Sequence, residues 1–485
     1  IGYSLASDGD VVWPEEWVFQ RDGENDWVHG DGVDMATIVI DEAQCGDDMR
    51  FHIRTHFDPG GGCEEVVNED SSDEAFTVYP LVSTFSPEIG NSGLDYVGQP
   101  GGASVVYVGV DEKPDLFITI GDDGGNGDAE SAIYENTSTT DIEFTYISDV
   151  RFEDEDEIPG SGYRSVAAAD IDEDGVVDLF LSHATDSKLY VANSEGRWYN
   201  VVGSGDWFEL LEQANLVGSV VACWVDYDHD GDLDLSIGRD DTPNGSNNLV
   251  TYENQGTETF PKFINVSSST GLVESSGDGV TDLTWCDTDG DGLWNVFVTR
   301  KREVAVQFEE ISVGLYGTAG RFPDLPDDAW LRDAELLDFD LDNDLDLVAT
   351  PTSPAGEASS NVGISRNDGA SWNSATAGWL AGRGRIGGVQ SGDYDMDGAP
   401  DLLLASGSVG AKSSLAYNLA NIPTFTDPLF VFFDDEVGFG PESVGSTTTA
   451  SADFDQDGDT DVFLGVAGDS DGARIWTLHD RDGED

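Results

Sequence analysis

The feature that most constrains this chain is a thirteen-residue pattern of spaced aspartates, a turn residue and an apolar run, which occurs six times. The copies are DIDEDGVVDLFLS from Asp170, DYDHDGDLDLSIG from Asp226, DTDGDGLWNVFVT from Asp287, DFDLDNDLDLVAT from Asp338, DYDMDGAPDLLLA from Asp393 and DFDQDGDTDVFLG from Asp453. Successive copies are about 50 to 60 residues apart. This regular spacing predicts a repeat protein in which each copy belongs to one structural unit.

Each copy carries the oxygen ligands of a calcium loop. Acidic side chains at loop positions one, three, five and nine can converge on one hard cation, and the backbone carbonyl at position seven adds another oxygen. Position six is glycine in five copies and Asn343 in the other, and both residues tolerate the left-handed conformation expected at a sharp turn. Without a cation the carboxylates would repel one another by ~4 kcal/mol per contacting pair at an effective dielectric constant of about 20. We therefore expect about six Ca²⁺ ions that are part of the fold.

The candidate metal ligands stand at positions one, three, five, seven and nine of each loop. They are Asp170, Asp172, Asp174, Val176, Asp178, Asp226, Asp228, Asp230, Asp232, Asp234, Asp287, Asp289, Asp291, Leu293, Asn295, Asp338, Asp340, Asp342, Asp344, Asp346, Asp393, Asp395, Asp397, Ala399, Asp401, Asp453, Asp455, Asp457, Asp459 and Asp461. Loop 287–295 departs from the pattern because Asn295 replaces the last aspartate, and loop 338–346 departs because Asn343 replaces glycine. No catalytic or organic cofactor site is predicted.

The surroundings of the loops are not those of an EF-hand. An EF-hand needs a glutamate at position twelve and a helix on each side of the loop. Position twelve is instead an aliphatic residue such as Leu181 or Val298, inside an apolar run typical of a buried β-strand. A single DxDxDG motif is explained equally well as a solvated acidic turn. Six copies in register, all followed by apolar strands, favour the calcium interpretation.

A degenerate copy, SVVYVGVDEKPDLFITIG, precedes the complete ones and begins at Ser104. Tyr107 and Gly109 occupy the first two ligand positions, so that only Asp111 and Asp115 remain. We expect this unit to keep its strands and to lack the metal, which gives seven structural units and six sites. A repeat of this length suits a four-stranded propeller blade and is too long for a leucine-rich repeat.

The strands of one unit can be read from its apolar runs. The predicted strands are Ser165–Ala169, Asp178–Ser182, Lys188–Ala192 and Arg197–Val202, and the last two recur as Leu249–Glu253 and Phe260–Val266. The final unit ends after Arg474–Leu478 and lacks its fourth strand. The segment EAFTVYPLVSTFSPEIG from Glu74 resembles ETFPKFINVSSSTGLVE from Glu258, which carries a fourth strand. We expect a closing strand near residues 74–83 to complete the last blade and remove the open sheet edge.

The first seventy residues do not match the repeat. Two strands are predicted there, Ala36–Asp41 and Arg50–Phe57, and the second places His52 and His56 on one face. Two such histidines either hold a metal or line a solvated or interface surface. The segment is acidic but rich in tryptophan and phenylalanine, which are favoured interface anchors. It is therefore either a lid on the propeller or an arm that docks on another subunit. The predicted domains are residues 1–70, a β-rich extension or assembly arm, and 71–485, the propeller.

The charge of the chain limits its partners. The sequence has 21 basic and 98 acidic residues, for a net charge of −77. Such a field repels nucleic acids and anionic membranes, and it favours cations or basic partners. Adaptation to a saline medium explains the acidity equally well. No apolar run approaches the ~20 residues needed to span a bilayer, so membrane insertion is not expected.

The cysteines and the glycosylation motifs point outside the cell. Cys45 and Cys63 flank a Gly- and Asp-rich stretch and could close a disulfide-bonded loop, whereas Cys223 and Cys286 are expected to be buried free thiols. Three Asn-X-Ser/Thr motifs, at Asn136, Asn244 and Asn265, permit glycosylation. With calcium loops and an acidic surface, these features predict an extracellular or cell-surface glycoprotein.

Two phrases carry a family resemblance, FPKFINVSSSTGLVESSGDGVTDLTWCDTDGDGLWNVFVT and VVACWVDYDHDGDLDLSIG. They resemble the FG-GAP or VCBS repeats of integrin α-subunit propellers and of cartilage-acidic-protein-type proteins. The resemblance covers residues 74–485. It implies an all-β, seven-bladed β-propeller with calcium in DxDxDGxxD loops at one rim, in extracellular proteins that mostly bind or adhere.

The expected function is non-catalytic. The sequence has no G-x-S-x-G elbow, no H-E-x-x-H motif and no P-loop. The first hypothesis is a calcium-binding propeller that acts in surface assembly, as a self-associating structural or filament subunit, or in cell adhesion. The alternative is a monomeric adhesion module that binds an extracellular protein or glycan. Related propellers occur in polysaccharide lyases and hydrolases, so an enzyme is a third hypothesis.

Overall fold

The computed structural model divides the chain into two units, one of residues Ile1–Ser83 with Asp480–Glu484 and the other of residues Thr84–His479 with Asp485. The structure describes residues 5–7, 10–12, 16–21, 27–31, 49–57, 66–71, 84–88, 93–94, 99–108, 111, 113–122, 130–138, 142–152, 158–193, 195–202, 216–240, 248–256, 261–273, 279–301, 305–321, 330–352, 363–367, 372–374, 386–394, 398–406, 413–418, 420, 430–432, 446–466 and 474–479.

The first unit is built from antiparallel strands. They are β1 (Leu5–Ser7), β2 (Asp10–Val12), β3 (Glu16–Arg21), β4 (Trp27–Asp31), β5 (Met49–Phe57) and β6 (Val66–Ser71). Strand β1 pairs with β2, and the other four form a sheet in the order β4-β3-β5-β6. The predicted strand Arg50–Phe57 is confirmed as β5, whereas Ala36–Asp41 lies outside the described residues. This unit extends past the predicted boundary at residue 70 because β6 pairs with β5 across that position.

The second unit contains six blades, each a four-stranded sheet of consecutive strands. In chain order the blades are β8 (Gln99–Val106), β9 (Asp115–Asp122), β10 (Ala132–Asn136) and β11 (Phe144–Tyr146); β12 (Tyr163–Ala169), β13 (Asp178–His183), β14 (Lys188–Ala192) and β15 (Trp198–Asn200); β16 (Ser219–Val225), β17 (Asp234–Arg239), β18 (Leu249–Asn254) and β19 (Phe263–Asn265); β20 (Val280–Cys286), β21 (Asn295–Arg300), β22 (Val306–Ser312) and β23 (Leu315–Arg321); β24 (Trp330–Leu337), β25 (Asp346–Thr352), β26 (Gly363–Asn367) and β27 (Trp372–Ser374); and β28 (Ile386–Gly392), β29 (Asp401–Ser406), β30 (Ser414–Asn418) and β31 (Phe430–Phe432). We call them blades 1 to 6.

A composite blade joins the two ends of this unit. It combines β32 (Ser446–Ala452), β33 (Asp461–Val466) and β34 (Arg474–His479) with β7 (Thr84–Glu88), which comes before blade 1 in the chain. Two four-residue helices, α1 (Ser148–Arg151) and α2 (Ser267–Thr270), follow the fourth strands of blades 1 and 3. The all-β propeller fold is thus confirmed. The seven units counted in the sequence correspond to the six consecutive blades and this composite one.

The second strand of each blade explains why these sequences form sheets. Every residue of β21 and β29 is buried, as are five of the six residues of β13 and β17. A strand buried on both faces needs a nearly continuous apolar run, and DLFLS and DLLLA provide one. The apolar side chains pack against neighbouring blades, so the core consists of layers between successive sheets.

The ring closes between the composite blade and blade 1. The first strand of every blade contacts the first strand of the next, and β32 contacts β8 to complete the circle. Phe144 of blade 1 and Phe454 of the composite blade meet edge to face, with ring centroids 5.6 Å apart. Leu116 and Phe463 belong to the same hydrophobic cluster. The joint between the two ends of the unit is therefore packed with apolar side chains.

The closing strand is Thr84–Glu88, which pairs antiparallel with β34 from Ile475↔Glu88 to His479↔Thr84. The segment predicted to close the ring, residues 74–83, lies outside the described residues. Sequence similarity could not locate the strand because an edge strand pairs through its backbone, so its register is only weakly specified by side chains. Closure by a strand from before blade 1 was predicted, but its position was not.

Deletion of residues 84–88 should expose the backbone edge of β34, and the variant should aggregate at temperatures at which the parent protein stays soluble. The measurement is light scattering during heating, with sedimentation of the soluble fraction.

The matched control is deletion of residues 480–485, which follow β34 and contain none of the pairing residues. Equal aggregation of both deletion variants, or of neither, would contradict closure by β7.

Candidate cation sites and the central channel

Each predicted calcium loop connects the first and second strands of its blade, as loop 170–178 connects β12 to β13. Because the blades share one topology, this connection places all six loops at the same rim of the propeller. In five loops, three carboxylates each bring an oxygen within 4.8 Å of the other two. These groups are Asp170, Asp172 and Asp178; Asp226, Asp228 and Asp230; Asp287, Asp289 and Asp291; Asp338, Asp340 and Asp346; and Asp453, Asp455 and Asp461. In loop 393–401, Asp395 and Asp397 lie outside the described residues.

The carboxylates at positions one and five shape the loop by accepting backbone hydrogen bonds. Asp170 accepts from the N–H of Asp174 at 3.1 Å and from the N–H of Gly175 at 2.8 Å. Asp174 accepts from the N–H of Val176 at 2.9 Å. The same three bonds recur in loops 226–234 and 338–346. The loop is therefore curled around its own carboxylates.

The aspartate at position nine has a structural role that sequence reasoning missed. Asp178 is fully buried, and it accepts from the N–H of Ile171 at 3.0 Å and from the N–H of Ala192, at the end of the third strand, at 2.7 Å. Equivalent pairs of bonds reach Asp234, Asp346 and Asp401. This residue was predicted only as a metal ligand, yet it also fixes the loop to its blade.

The degenerate blade 1 keeps this anchor. Asp115 accepts from the N–H groups of Val108 at 2.8 Å and Asn136 at 2.7 Å. The described part of its loop contains no three-carboxylate group. The anchor therefore explains why Asp115 is present where the first two ligand positions are Tyr107 and Gly109.

Blade 4 shows the reverse substitution. Asn295 has one acceptor oxygen, which accepts from the N–H of Thr288 at 3.1 Å. The third-strand amide, from Glu310, donates instead to the carbonyl of Trp294 at 3.0 Å. Asp287, Asp289 and Asp291 still form a cluster without position nine. The replacement of aspartate by Asn295 therefore changes the backbone hydrogen bonds at position nine and leaves the other three carboxylates clustered.

Several loop carboxylates contain an oxygen that the protein leaves unsatisfied. Oδ1 of Asp172, Asp228 and Asp340, all at position three, is buried and has no hydrogen-bond partner, and neither has Oδ1 of Asp453. Asp172 is only 8% exposed. A buried carboxylate oxygen without a partner is costly, and a hard cation with oxygen ligands would satisfy it. The donor set therefore fits Ca²⁺.

The backbone turns left-handed at two positions of the loops. Position six behaves as predicted, with φ of 88° at Gly175 and 75° at Asn343. Position four is also left-handed, and outside loop 287–295, where it is Gly290, it is not a glycine: φ is 54° at Glu173, 58° at His229 and 61° at Leu341. The conformation costs roughly 1–2 kcal/mol for such residues. The loop pattern did not predict this conformation, because residues at position four share no chemical property.

Burial and crowding raise the pKa values of the loop carboxylates. Burial is the main cause that raises the pKa of Asp178, Asp234 and Asp346 to about 8, and nearby loop carboxylates raise it further against the lowering effect of the backbone donors. Burial and then the neighbouring aspartate raise the pKa of Asp172 and Asp340 to about 6. The cluster therefore resists full ionisation without a counter-charge.

Asparagines at the ends of third strands connect neighbouring loops. Asn136 of blade 1 donates its amide to the carbonyl of Phe454 in the composite blade at 2.7 Å and to that of Pro114 at 3.1 Å. Asn418 does the same with Phe339 of blade 5 at 2.8 Å. Asn136 begins one of the glycosylation motifs, but its side chain is fully buried. The folded protein therefore cannot carry a glycan there, whereas Asn265 is exposed.

The first strands surround a central channel with a cavity of about 720 Å³. Each first strand contains a register shift near its start, for example between Val280 and Asp282. At one part of the wall, Asp240 forms ion pairs with Arg164, at 3.2 Å, and with Lys301. The channel therefore presents charged groups of both signs to its lumen.

Carboxylates of blades 4 and 5 also line the channel. Asp282 accepts from the N–H of Ala334 at 3.1 Å and Asp333 accepts from the N–H of Val389 at 2.9 Å, so each is bonded to the next blade. The side chain of Asp282 is partly exposed to the lumen. Burial by the surrounding protein, followed by the charge of Asp333, raises the pKa of Asp282 to about 8. These carboxylates connect blades as well as lining the cavity.

The cysteines of the propeller are free, as predicted. Cys223 and Cys286 are not paired, and burial raises the pKa of each thiol to about 12. Cys45 and Cys63, and the sequon at Asn244, lie outside the described residues. Within the described part of the chain, no helix is long and apolar enough to cross a membrane.

Comparison with known proteins identifies the repeat. Residues 338–404 match the model of the FG-GAP-like repeat family, and this segment contains the loop of blade 5 and most of the first two strands of blade 6. A search of curated proteins finds none that matches the sequence.

Solved structures with a similar fold share little sequence with the chain. A lectin from Agrocybe aegerita that recognises non-reducing terminal N-acetylglucosamine is 14% identical, covers 72% of this chain and 84% of its own, and has a TM-score of 0.46. BBS1N, solved with ARL6DN, is 11% identical over 82% of this chain and 98% of its own, with a TM-score of 0.49. The Dos1 propeller is 10% identical, covers 81% of this chain and 95% of its own, and has a TM-score of 0.41. At these TM-scores the likenesses add nothing to the sheet topology.

In the absence of divalent cations, the melting temperature should fall as the pH rises from 5 to 8. The raised pKa values mean that the folded state holds protons which the unfolded state has released. That contribution to stability is fully present below the ordinary aspartate pKa of about 4 and is lost as the pH passes about 8, the value for Asp178, Asp234 and Asp346. Calorimetry in excess chelator measures the melting temperature at each pH.

Asp178→Asn, which copies the residue found at position 295, should reduce this pH dependence because it removes one of the titrating groups. A melting temperature that stays constant or rises between pH 5 and 8 in chelator would contradict the prediction.

Proposed function

We propose that this chain, a β-propeller that carries an FG-GAP-like repeat, is an extracellular calcium-binding protein without catalytic activity that acts in adhesion or surface assembly. One observation carries the calcium part of the proposal. Carboxylate clusters recur at one rim of the ring, and buried oxygens of Asp172, Asp228 and Asp340 have no partner within the protein. Hydrogen bonds within the protein do not satisfy these oxygens, and a cation would.

The residues that would hold Ca²⁺ are those at positions one, three, five and nine, with the carbonyl at position seven. When bound, the ion supplies positive charge that offsets the repulsion among the carboxylates. The protein supplies rigidity, because the bonds from Gly175 and Val176 to Asp170 and Asp174 hold the loop in a curled form. Loop 287–295 offers fewer carboxylates because Asn295 replaces an aspartate, and we expect the lowest affinity there.

The repeat type supports the non-catalytic and extracellular parts of the proposal, since FG-GAP repeats are typical of extracellular proteins that are not enzymes. Exposed aliphatic side chains at the turn between β22 and β23 support the adhesion hypothesis. Ile311, Val313 and Leu315 are 62%, 65% and 42% exposed there. Clustered exposed aliphatic side chains commonly mark a contact with another protein.

Surface assembly is supported by the independence of the first unit. The propeller closes with Thr84–Glu88, and the described strands of the first unit, β1 to β6, belong to none of its blades. A unit that is not needed for closure is available to contact another subunit. The alternative, a monomeric module that binds a protein or glycan, is supported by the channel cavity, because a volume of about 720 Å³ with charged lining suits a polar ligand.

Calcium should raise the melting temperature, and chelation should lower it. A ligand confined to the folded state adds ~2.7 kcal/mol per site at a hundredfold excess over its dissociation constant. Asp172→Ala and Asp340→Ala should each remove one bound ion and reduce the calcium-dependent rise. The measurements are scanning calorimetry and equilibrium dialysis with metal analysis.

The matched control is Glu143→Ala, which removes an exposed carboxylate outside the loops and should leave the metal content unchanged. Identical melting in calcium and in chelator at low salt would refute the calcium proposal.

Removal of residues 1–83 should convert any assembled form into a folded monomer, if the first unit mediates assembly. Multi-angle light scattering of the full chain and of residues 84–485, both in calcium, measures the mass. A full chain that is monomeric at all concentrations would refute assembly and leave the adhesion or ligand-binding module.

A further inference from the structure

The interface between blades 3 and 4 is built differently from three of its counterparts. In blades 1, 5 and 6 the asparagine at the end of the third strand donates to the position-two carbonyl of the neighbouring loop. Strand register puts Glu310 at the equivalent place in blade 4. There the position-two carbonyl, that of Tyr227, accepts from the hydroxyl of Tyr316 at 2.7 Å instead. The carboxylate of Glu310 is thus left for other contacts.

Glu310 joins the loops of both blades. Its side chain is completely buried. One oxygen accepts from the N–H of Trp294 at 2.9 Å and lies 2.9 Å from Nε2 of His229, and the other accepts from the N–H of Gly314 at 2.8 Å. Trp294 is position eight of loop 287–295, and His229 is position four of loop 226–234. One buried carboxylate therefore holds a residue of each loop.

Trp294 strengthens the connection. Its indole N–H donates to the carbonyl of Asp226, the first ligand position of the neighbouring loop, at 2.8 Å. Its ring is nearly parallel to the imidazole of His229, with centroids 6.1 Å apart and planes inclined by 6°. A side chain of one loop thus contacts the backbone and a side chain of the other.

The contact reaches the metal ligands through the backbone of His229. This residue is left-handed, with φ of 58°, and it stands between Asp228 and Asp230. Its conformation sets the directions in which these two carboxylates point. Asp228 contains one of the buried oxygens without a partner. An interaction that holds the backbone of His229 in this conformation therefore also orients two ligands of loop 226–234.

We propose that Glu310 couples the two loops, so that a cation bound at loop 226–234 raises the cation affinity of loop 287–295, and the reverse. The inference rests on the proposed function, because it requires both loops to bind a cation. Glu310 is a positioning residue, since it acts through His229 and Trp294. A cation that orders one loop places these partners correctly for the other. Such coupling must be reciprocal in free energy.

The test is a calcium titration of the full chain followed by hydrogen–deuterium exchange and mass spectrometry, which gives a midpoint of protection for each loop. Asp228→Ala should raise the calcium midpoint of loop 287–295 on the order of fivefold or more, and Asp289→Ala should do the same to loop 226–234. In the Glu310→Gln background both effects should disappear. Asp455→Ala, in the composite blade, should shift neither midpoint.

The outcomes separate this inference from the proposed function. If every loop responds to calcium but Asp228→Ala leaves the midpoint of loop 287–295 unchanged, the coupling is refuted and the calcium proposal stands. If no loop responds, both are refuted. If the Glu310→Gln variant loses protection throughout the chain, His229→Ala is tested in its place. That substitution removes the contact between His229 and Glu310 and keeps the two backbone hydrogen bonds that Glu310 accepts. Persistence of the effects in that variant would refute the role of Glu310 and His229 in the coupling.

Discussion

Most blades depend on a buried carboxylate at the ninth position of the loop between their first two strands. A carboxylate in the interior is unfavourable unless strong hydrogen bonds surround it, and two backbone amides provide them at Asp178. The aspartate begins the second strand and binds the start of the loop and the end of the third strand. It therefore fixes three segments of the blade relative to one another.

This anchoring creates the electrostatic problem that a cation would resolve. Once position nine is fixed, positions one and three converge on the same point, and Asp170, Asp172 and Asp178 bring their oxygens within 4.8 Å of one another. Basic side chains supply little relief. In loop 338–346 the guanidinium of Arg366 lies 3.7 Å from Asp340, and burial still raises the pKa of that carboxyl to about 6. A divalent ion would offset the charge of these carboxylates more fully than one arginine.

The sequence predicted the strands and loops because these follow from short-range patterns. The run after Asp178 required a strand buried on both faces, and the glycine at position 175 required a left-handed turn. It could not predict the closing strand Thr84–Glu88, which is selected by a backbone edge almost 400 residues away in the chain. Nor could it reveal the left-handed backbone at His229, since the residues at position four share no chemical property. The double role of Asp178 was hidden because a metal ligand and a backbone acceptor are the same residue type.

Two departures from the repeat separate anchoring from cation chemistry. Blade 1 has lost the ligands at positions one and three, yet Asp115 still accepts two backbone hydrogen bonds, and the sheet is complete. Blade 4 has lost the carboxylate at position nine, yet Asp287 and its neighbours still cluster, because Asn295 keeps one bond and the amide of Glu310 finds another acceptor. If one function required the other, neither blade could exist in this form. The fold of a blade therefore requires a buried acceptor at position nine, whereas the cation site requires the crowded oxygens above it, and each can change while the other is retained.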